Sequence, residues 1–268
     1  MRQISDLMKK TLFLAIVALS LVSGMAMAAG RQCIEFDTGW KFSLDGGSIW
    51  KEVQLPHDWS MELPFLQPDA EPDLHRMGFM QGGTGLYRKE FVVPASWKGK
   101  RVSIDFDGVY HRSTVYVNGK EAGFHAYGYT AFSHDITDLL LPGGSNTIEV
   151  KVDHSDFPTS RWYSGSGIYR HVKLTVTNPV HVKKWGTSVT TPEVSSDIAK
   201  IRIATSIGNK APREARVTLT SELRSPSGDV VAKITSPVRI SSGDCCWALT
   251  LTVAIMKRAM ARTRRLEI

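Results

Sequence analysis

The chain has 268 residues, 42% hydrophobic and 22% charged, ordinary proportions that exclude a disordered or collagen-like polypeptide. Its length allows one or two domains with a real core. A formal net charge of +7 points to an anionic partner only if the charge sits on the folded body. It does not. Arg2, Lys9 and Lys10 against Asp6 place +2 in the first 30 residues, and Lys257, Arg258, Arg262, Arg264 and Arg265 against Glu267 place +4 in the last 24. Residues 31–244 are left with +1, so composition gives no argument for nucleic acid.

At the N-terminus Lys9-Lys10 precedes an apolar run over residues 12–22, followed by Ala26-Met27-Ala28. A basic start, a short apolar stretch and an A-x-A site describe an export signal over residues 1–28. The run is too short to span a bilayer, which takes about 20 residues. The expected location is therefore periplasmic or extracellular. Cys33, Cys245 and Cys246 form neither a disulfide framework nor a metal-ligand spacing.

From Phe36 to Val176 short alternating segments recur. Arg101-Val102-Ser103-Ile104-Asp105-Phe106, residues 147–153 and residues 171–176 each place apolar side chains on one face and polar ones on the other. Asn118-Gly119 is a two-residue hairpin signal, because both residues tolerate positive φ. The only helix-like stretch is residues 135–141, stopped by Pro142. Many short strands with Gly/Pro turns predict an all-β fold, a jelly-roll β-sandwich over residues 31–179. A second set of strands follows Asn178-Pro179, with a Ser225-Pro226-Ser227-Gly228 turn and a further strand beginning at Val238. It resembles an immunoglobulin-like sandwich cut short, since residues 180–243 are fewer than the ~100 such a fold takes. Residues 244–268 read differently again: Cys-Cys-Trp, an apolar run, then a basic run. That segment is read as an aberrant, frameshifted end, with a basic amphipathic helix as the alternative.

Two loops concentrate side chains suited to a polyhydroxylated ligand. In Leu55-Pro56-His57-Asp58-Trp59, Trp59 has a face for a sugar ring while His57 and Asp58 offer hydrogen bonds; the competing reading is a buried loop anchor. In residues 158–170 the glycines permit close backbone approach, and Arg161 and Trp162 suit a pyranose. There, Tyr169 is expected to pack and Arg170 to pair internally. Gly82-Gly83-Thr84-Gly85 lacks the Lys-Ser/Thr of a phosphate loop, and Gly165-Ser166-Gly167 is too short for a nucleophile elbow. The candidate substrate-binding residues are Asp58, Arg161 and Trp162. No catalytic residue, metal ligand or cofactor is assigned.

Phe36-Asp37-Thr38-Gly39-Trp40-Lys41-Phe42, Leu55-Pro56-His57-Asp58-Trp59, Gly85-Leu86-Tyr87-Arg88-Lys89-Glu90-Phe91 and Phe106-Asp107-Gly108-Val109-Tyr110 come in order. They are followed by Val115-Tyr116-Val117-Asn118-Gly119, Gly128-Tyr129-Thr130-Ala131-Phe132 and the stretch 160–170. Together they resemble the start of a glycoside hydrolase family 2 enzyme of the β-galactosidase type. The resemblance implies a galactose-binding-like jelly roll, then an immunoglobulin-like domain. It also implies a (β/α)₈ barrel carrying two catalytic glutamates, for which about 250 residues are needed. The residues after 243 supply no such barrel. By resemblance, the loops holding Asp58 and Arg161-Trp162 lie at the barrel's active-site rim. Some β-galactosidases carry a substrate-contacting Asn after Phe-Asp-Gly-Val; here that position is Tyr110, so the contact does not transfer. The expected role is the non-catalytic front of a retaining β-galactosidase, whose partner is a β-galactoside-like glycan. No nucleic acid and no membrane span are expected, and the oligomeric state is open. The alternatives are a stand-alone carbohydrate-binding module, or the front of a β-glucuronidase or β-mannosidase relative.

Overall fold

Period-two alternation gives each strand one apolar face, and those faces stack into two sandwiches. The structure is a computed structural model describing residues 30–66, 79–156, 162–195, 198–243 and 245–256. The expected export signal, Arg161 and the basic run from residue 257 onward lie outside the described residues.

The first unit runs β1 (Gln32–Glu35), β2 (Trp40–Ser43), β3 (Lys51–Val53), β4 (Gly83–Val92), β5 (Arg101–Phe106), β6 (Ser113–Val117), β7 (Lys120–His125), β8 (Phe132–Asp135), β9 (Ser145–His154) and β10 (Val172–Thr177). One sheet has the order β3-β2-β4-β9-β6-β7, the other β1-β10-β5-β8. All the pairings are antiparallel. Between them Trp40, Phe42, Tyr87, Ile148 and Val150 meet Ile104, Phe106 and Leu174 in one continuous buried cluster. Asn118 (φ +51°) and Gly119 (φ +75°) make the predicted turn, pairing Val117 with Lys120. The helix-like stretch shrinks to a 3₁₀ turn at Thr137–Leu139.

Alternation fails at one place on β5. Asp105 points away from the core yet is only 5% exposed. The cause is the second unit, which begins at β11 (Val180–Val194). Lys184 of β11 reaches the Asp105 carboxylate at 2.7 Å, and the hydroxyls of Ser133 and Thr175 donate to it at 2.5 Å each. Burial disfavours the ionised form, but these donors outweigh it and hold the Asp105 pKa below the usual carboxylate value.

The second unit continues with β12 (Ile198–Asn209), β13 (Ala215–Arg224), β14 (Val230–Ile240) and β15 (Cys245–Met256). Its sheets are β11-β12-β15 and the β13-β14 hairpin. Val238 does not begin a strand, as expected from sequence; it lies near the end of β14, which absorbs Pro237. The residues just after the compositional break also form a strand. Cys245 to Met256 pairs along β12 from Gly208 to Ile198, so this stretch is strand and not an amphipathic helix. Among the described residues no helix is long and apolar enough to cross a membrane.

Candidate functional site

The two loops chosen from sequence converge. His57 N–H donates to Ile168 C=O at 2.8 Å and Trp59 N–H to Ser166 C=O at 3.1 Å. Asp58 joins them through its side chain. It caps the 3₁₀ turn Trp59–Glu62, with Oδ1 accepting from Ser60 N at 3.1 Å and from Ser166 N at 2.9 Å. Its Oδ2 accepts from the Tyr163 hydroxyl. A carboxylate with three protein donors is a clamp between loops, with limited capacity left for a ligand. Gly165 (φ +75°) is required beside it, because a Cβ there would lie 2.9 Å from Asp58 Oδ2.

The stacking role for Trp59 does not hold. Its ring is 1% exposed, stacked on Phe42 at 5.3 Å, with Nε1 donating to Gly82 C=O at 3.2 Å. His57 is also buried, with Nδ1 2.7 Å from Tyr87 Oη and Nε2 3.3 Å from Glu62 Oε1. Burial, with a contribution from Lys51, lowers the His57 pKa to about 4. The ring is therefore neutral near pH 7, and its contact with Glu62 is a hydrogen bond rather than an ion pair. Both residues are loop anchors, the alternative the sequence left open.

Beneath the clamp a buried polar chain runs from His154 Nδ1 to Ser166 Oγ (2.7 Å), on to Ser60 Oγ (2.7 Å), which donates to Gln81 C=O (2.5 Å). A serine beside a histidine invites a nucleophile reading. Yet Ser166 and His154 have no exposed surface, so neither can meet a substrate in this arrangement. Burial, then the charges of His111 and Arg112, lowers the His154 pKa to about 4. Among the described residues no group of three His, Cys, Asp or Glu side chains could hold a metal ion.

What faces solvent here is aromatic. Trp162 is 61% exposed, and its Nε1 donates to Tyr129 Oη at 3.2 Å. Tyr127 and Tyr163 are exposed as well, and Tyr127 and Tyr129 pack edge to face at 5.7 Å. Tyr129 also packs on buried Tyr110 at 5.2 Å. Sequence reading missed Tyr127 and Tyr129 as site residues. The available signal was Gly128 between them: a Cβ there would come within 2.2 Å of Tyr110, so glycine lets the loop close over that ring. The loop is pinned by Tyr169, whose hydroxyl donates to Gly128 C=O at 2.8 Å. Arg170, expected to pair inside, is exposed instead. Burial and the bond to Asp58 push the Tyr163 hydroxyl pKa well above its ordinary value, keeping it a donor at any physiological pH.

Comparison with known proteins agrees with this architecture. Residues 77–179 match the family described as glycosyl hydrolases family 2, sugar binding domain. A β-galactosidase, BoGH2A, from Bacteroides ovatus is 38% identical over 84% of this chain, which spans 27% of that protein. A β-glucuronidase from Formosa agariphila is 30% identical over 83% of the chain and 26% of its own length. A solved glycosyl hydrolase family 2 structure from Bacteroides cellulosilyticus superposes with a TM-score of 0.75 at 33% identity, covering 85% of this chain and 31% of that one. The chain thus spans between a quarter and a third of the length of these three relatives.

Proposed function

Because residues 77–179 are a family 2 glycosyl hydrolase sugar-binding domain, and the chain corresponds to the N-terminal part of such enzymes, we propose that it is the non-catalytic front of an exported exo-β-glycosidase. The complete enzyme would hydrolyse terminal β-galactosides with retention, its two carboxyls coming from a domain beyond these sandwiches. The chain's own contribution is a carbohydrate-contacting rim. The observation that carries this is the exposed set Trp162, Tyr129 and Tyr127 beside Tyr163, held over the Asp58 clamp. Flat aromatic faces with polar tips stack on the C–H face of a pyranose and hydrogen-bond to its hydroxyls. In this reading Trp162 touches sugar, Arg161 lies next to it in sequence, and Asp58 positions the loop.

Affinity electrophoresis in β-galactan tests the rim: Trp162→Ala is expected to weaken retardation with thermal stability unchanged. Retardation unaltered by Trp162→Ala would remove that residue from the site. Hydrolysis of a chromogenic β-galactoside by the purified chain would overturn the non-catalytic assignment. Because β-glucuronidases stand beside β-galactosidases among the relatives, a glucuronide is the second substrate class, separated from the first by competition in the same gel. Recovery of the chain, shortened at residue 28, from the periplasm or medium of an expressing bacterium tests export.

A further inference from the structure

The outer face of the six-stranded sheet carries another cleft, of about 300 Å³, lined by Gly39, Lys41, Trp50, Arg88 and Glu90. None of these residues belongs to the Asp58–Trp162 end. The strands build the cleft from a simple register. Lys41 on β2 lies opposite Arg88 on β4, and Glu90 falls two residues further along the same face. Trp50 stands just before β3, against Gly47 (φ +95°), where a Cβ would sit 3.4 Å from the indole.

Arg88 is fixed from two sides. Its guanidinium lies over the Trp50 ring at 4.4 Å. Its Nε and Nη2 contact Glu149 Oε1 at 2.8 and 2.7 Å, directly across the ladder on β9. Those contacts use only part of a five-donor fork, so the remaining N–H groups are held in place at the cleft. Lys41 and Glu90 are both exposed there, adding an ammonium donor and a carboxylate acceptor. Gly39 (φ +71°) has open space where a Cβ would project, so the edge of the cleft stays clear.

We propose that this cleft is a second carbohydrate site, for one uncharged pyranose. The volume is at the lower end for small-ligand pockets, the size of a single ring. Fixed donors, an acceptor and an indole edge match the mixed hydroxyl and C–H surface of a sugar. Two cations, Lys41 and Arg88, are balanced by two anions, Glu90 and Glu149, so a uronate gains nothing from net charge and meets Glu90. The site goes beyond the rim reading and does not depend on it.

The test is titration of the purified chain with methyl β-D-galactopyranoside, methyl β-D-glucopyranoside and sodium glucuronate, read by calorimetry and saturation-transfer NMR. A neutral glycoside is expected to bind, with Lys41→Met and Glu90→Gln each weakening it roughly tenfold. Glucuronate is expected to bind about tenfold more weakly or not at all. Both substitutions are at exposed strand positions, and an unchanged melting curve confirms that the fold survives them. The proposal is overturned if no neutral glycoside binds, if both variants bind like the parent, or if glucuronate is preferred. Loss of binding confined to Trp162→Ala removes this site and leaves the rim standing; loss confined to Lys41→Met and Glu90→Gln does the reverse.

Discussion

The two sandwiches use the same alternation and reach different ends. In the first, 23 buried residues among those described form one cluster spanning both sheets. In the second, among the described side chains, only Ile207, Val238 and Ile240 form a buried cluster, while Val189, Val194, Val230, Val231 and Ile234 are exposed. On β13 the inward positions Val217, Leu219 and Leu223 are only half buried. On the described strands, then, alternation alone does not bury a face; burial also needs an opposing sheet that covers it. Among the described residues the first unit has ten strands to do so, the second a two-stranded hairpin against three.

The contrast predicts two separable unfolding transitions. Trp40→Ala empties a site with no exposed surface, whose Nε1 donates to Phe36 C=O at 2.7 Å. It should cost about 3–5 kcal/mol and lower the more stable transition alone in calorimetry. Loss of both transitions together would mean that the second unit has no independent stability. Acid should also discriminate. His57 and His154, both in the first unit, have pKa values lowered to about 4 from the ordinary 6.5. Folding keeps them neutral, so their contribution to stability is complete above pH 6.5 and is lost as pH falls from 6.5 towards 4. Each should remove about 1 kcal/mol between pH 6.5 and 5.5, and denaturant midpoints should fall further in the first transition than in the second, whose single histidine, His181, is also lowered by burial. An equal fall in the second transition would break the comparison.

How much of this the sequence disclosed follows from which interactions are local. Strands β5, β9 and β10 were readable because alternation is written within one segment, and Asn118-Gly119 because a turn is set by its own two residues. The pairing of the Asp58 loop with the 162–168 loop was readable only as two separate concentrations of polar and aromatic residues. Their meeting depends on backbone bonds between positions more than 100 residues apart. Trp59 was ambiguous for the same reason: a tryptophan on a loop looks alike whether Phe42 or a sugar covers its face. Composition gave no sign that residues from 245 onward would form a ladder with β12, since antiparallel pairing uses backbone groups that nearly any residue supplies. Tyr127 and Tyr129 escaped because the exposed aromatic group they form is completed by Trp162, from a distant loop, through its bond to Tyr129.

A further substitution bears on whether the two units are joined or merely adjacent. Among the described residues, Asp105 is the one carboxylate of the first unit that a second-unit ammonium, Lys184, reaches in a buried setting. It also accepts from Ser133 and Thr175. Asp105→Asn keeps the shape and one acceptor oxygen but leaves the ammonium without its counter-charge, which should cost about 1–2 kcal/mol. Because the lost bond crosses the junction, both transitions should shift, unlike the response to Trp40→Ala. Adding Lys184→Met removes the stranded charge and should recover part of the loss, giving a measurable coupling in a double-mutant cycle. Zero coupling would show that Asp105 serves only the hydroxyls of its own sheet. The two sandwiches would then meet at this point without stabilising each other.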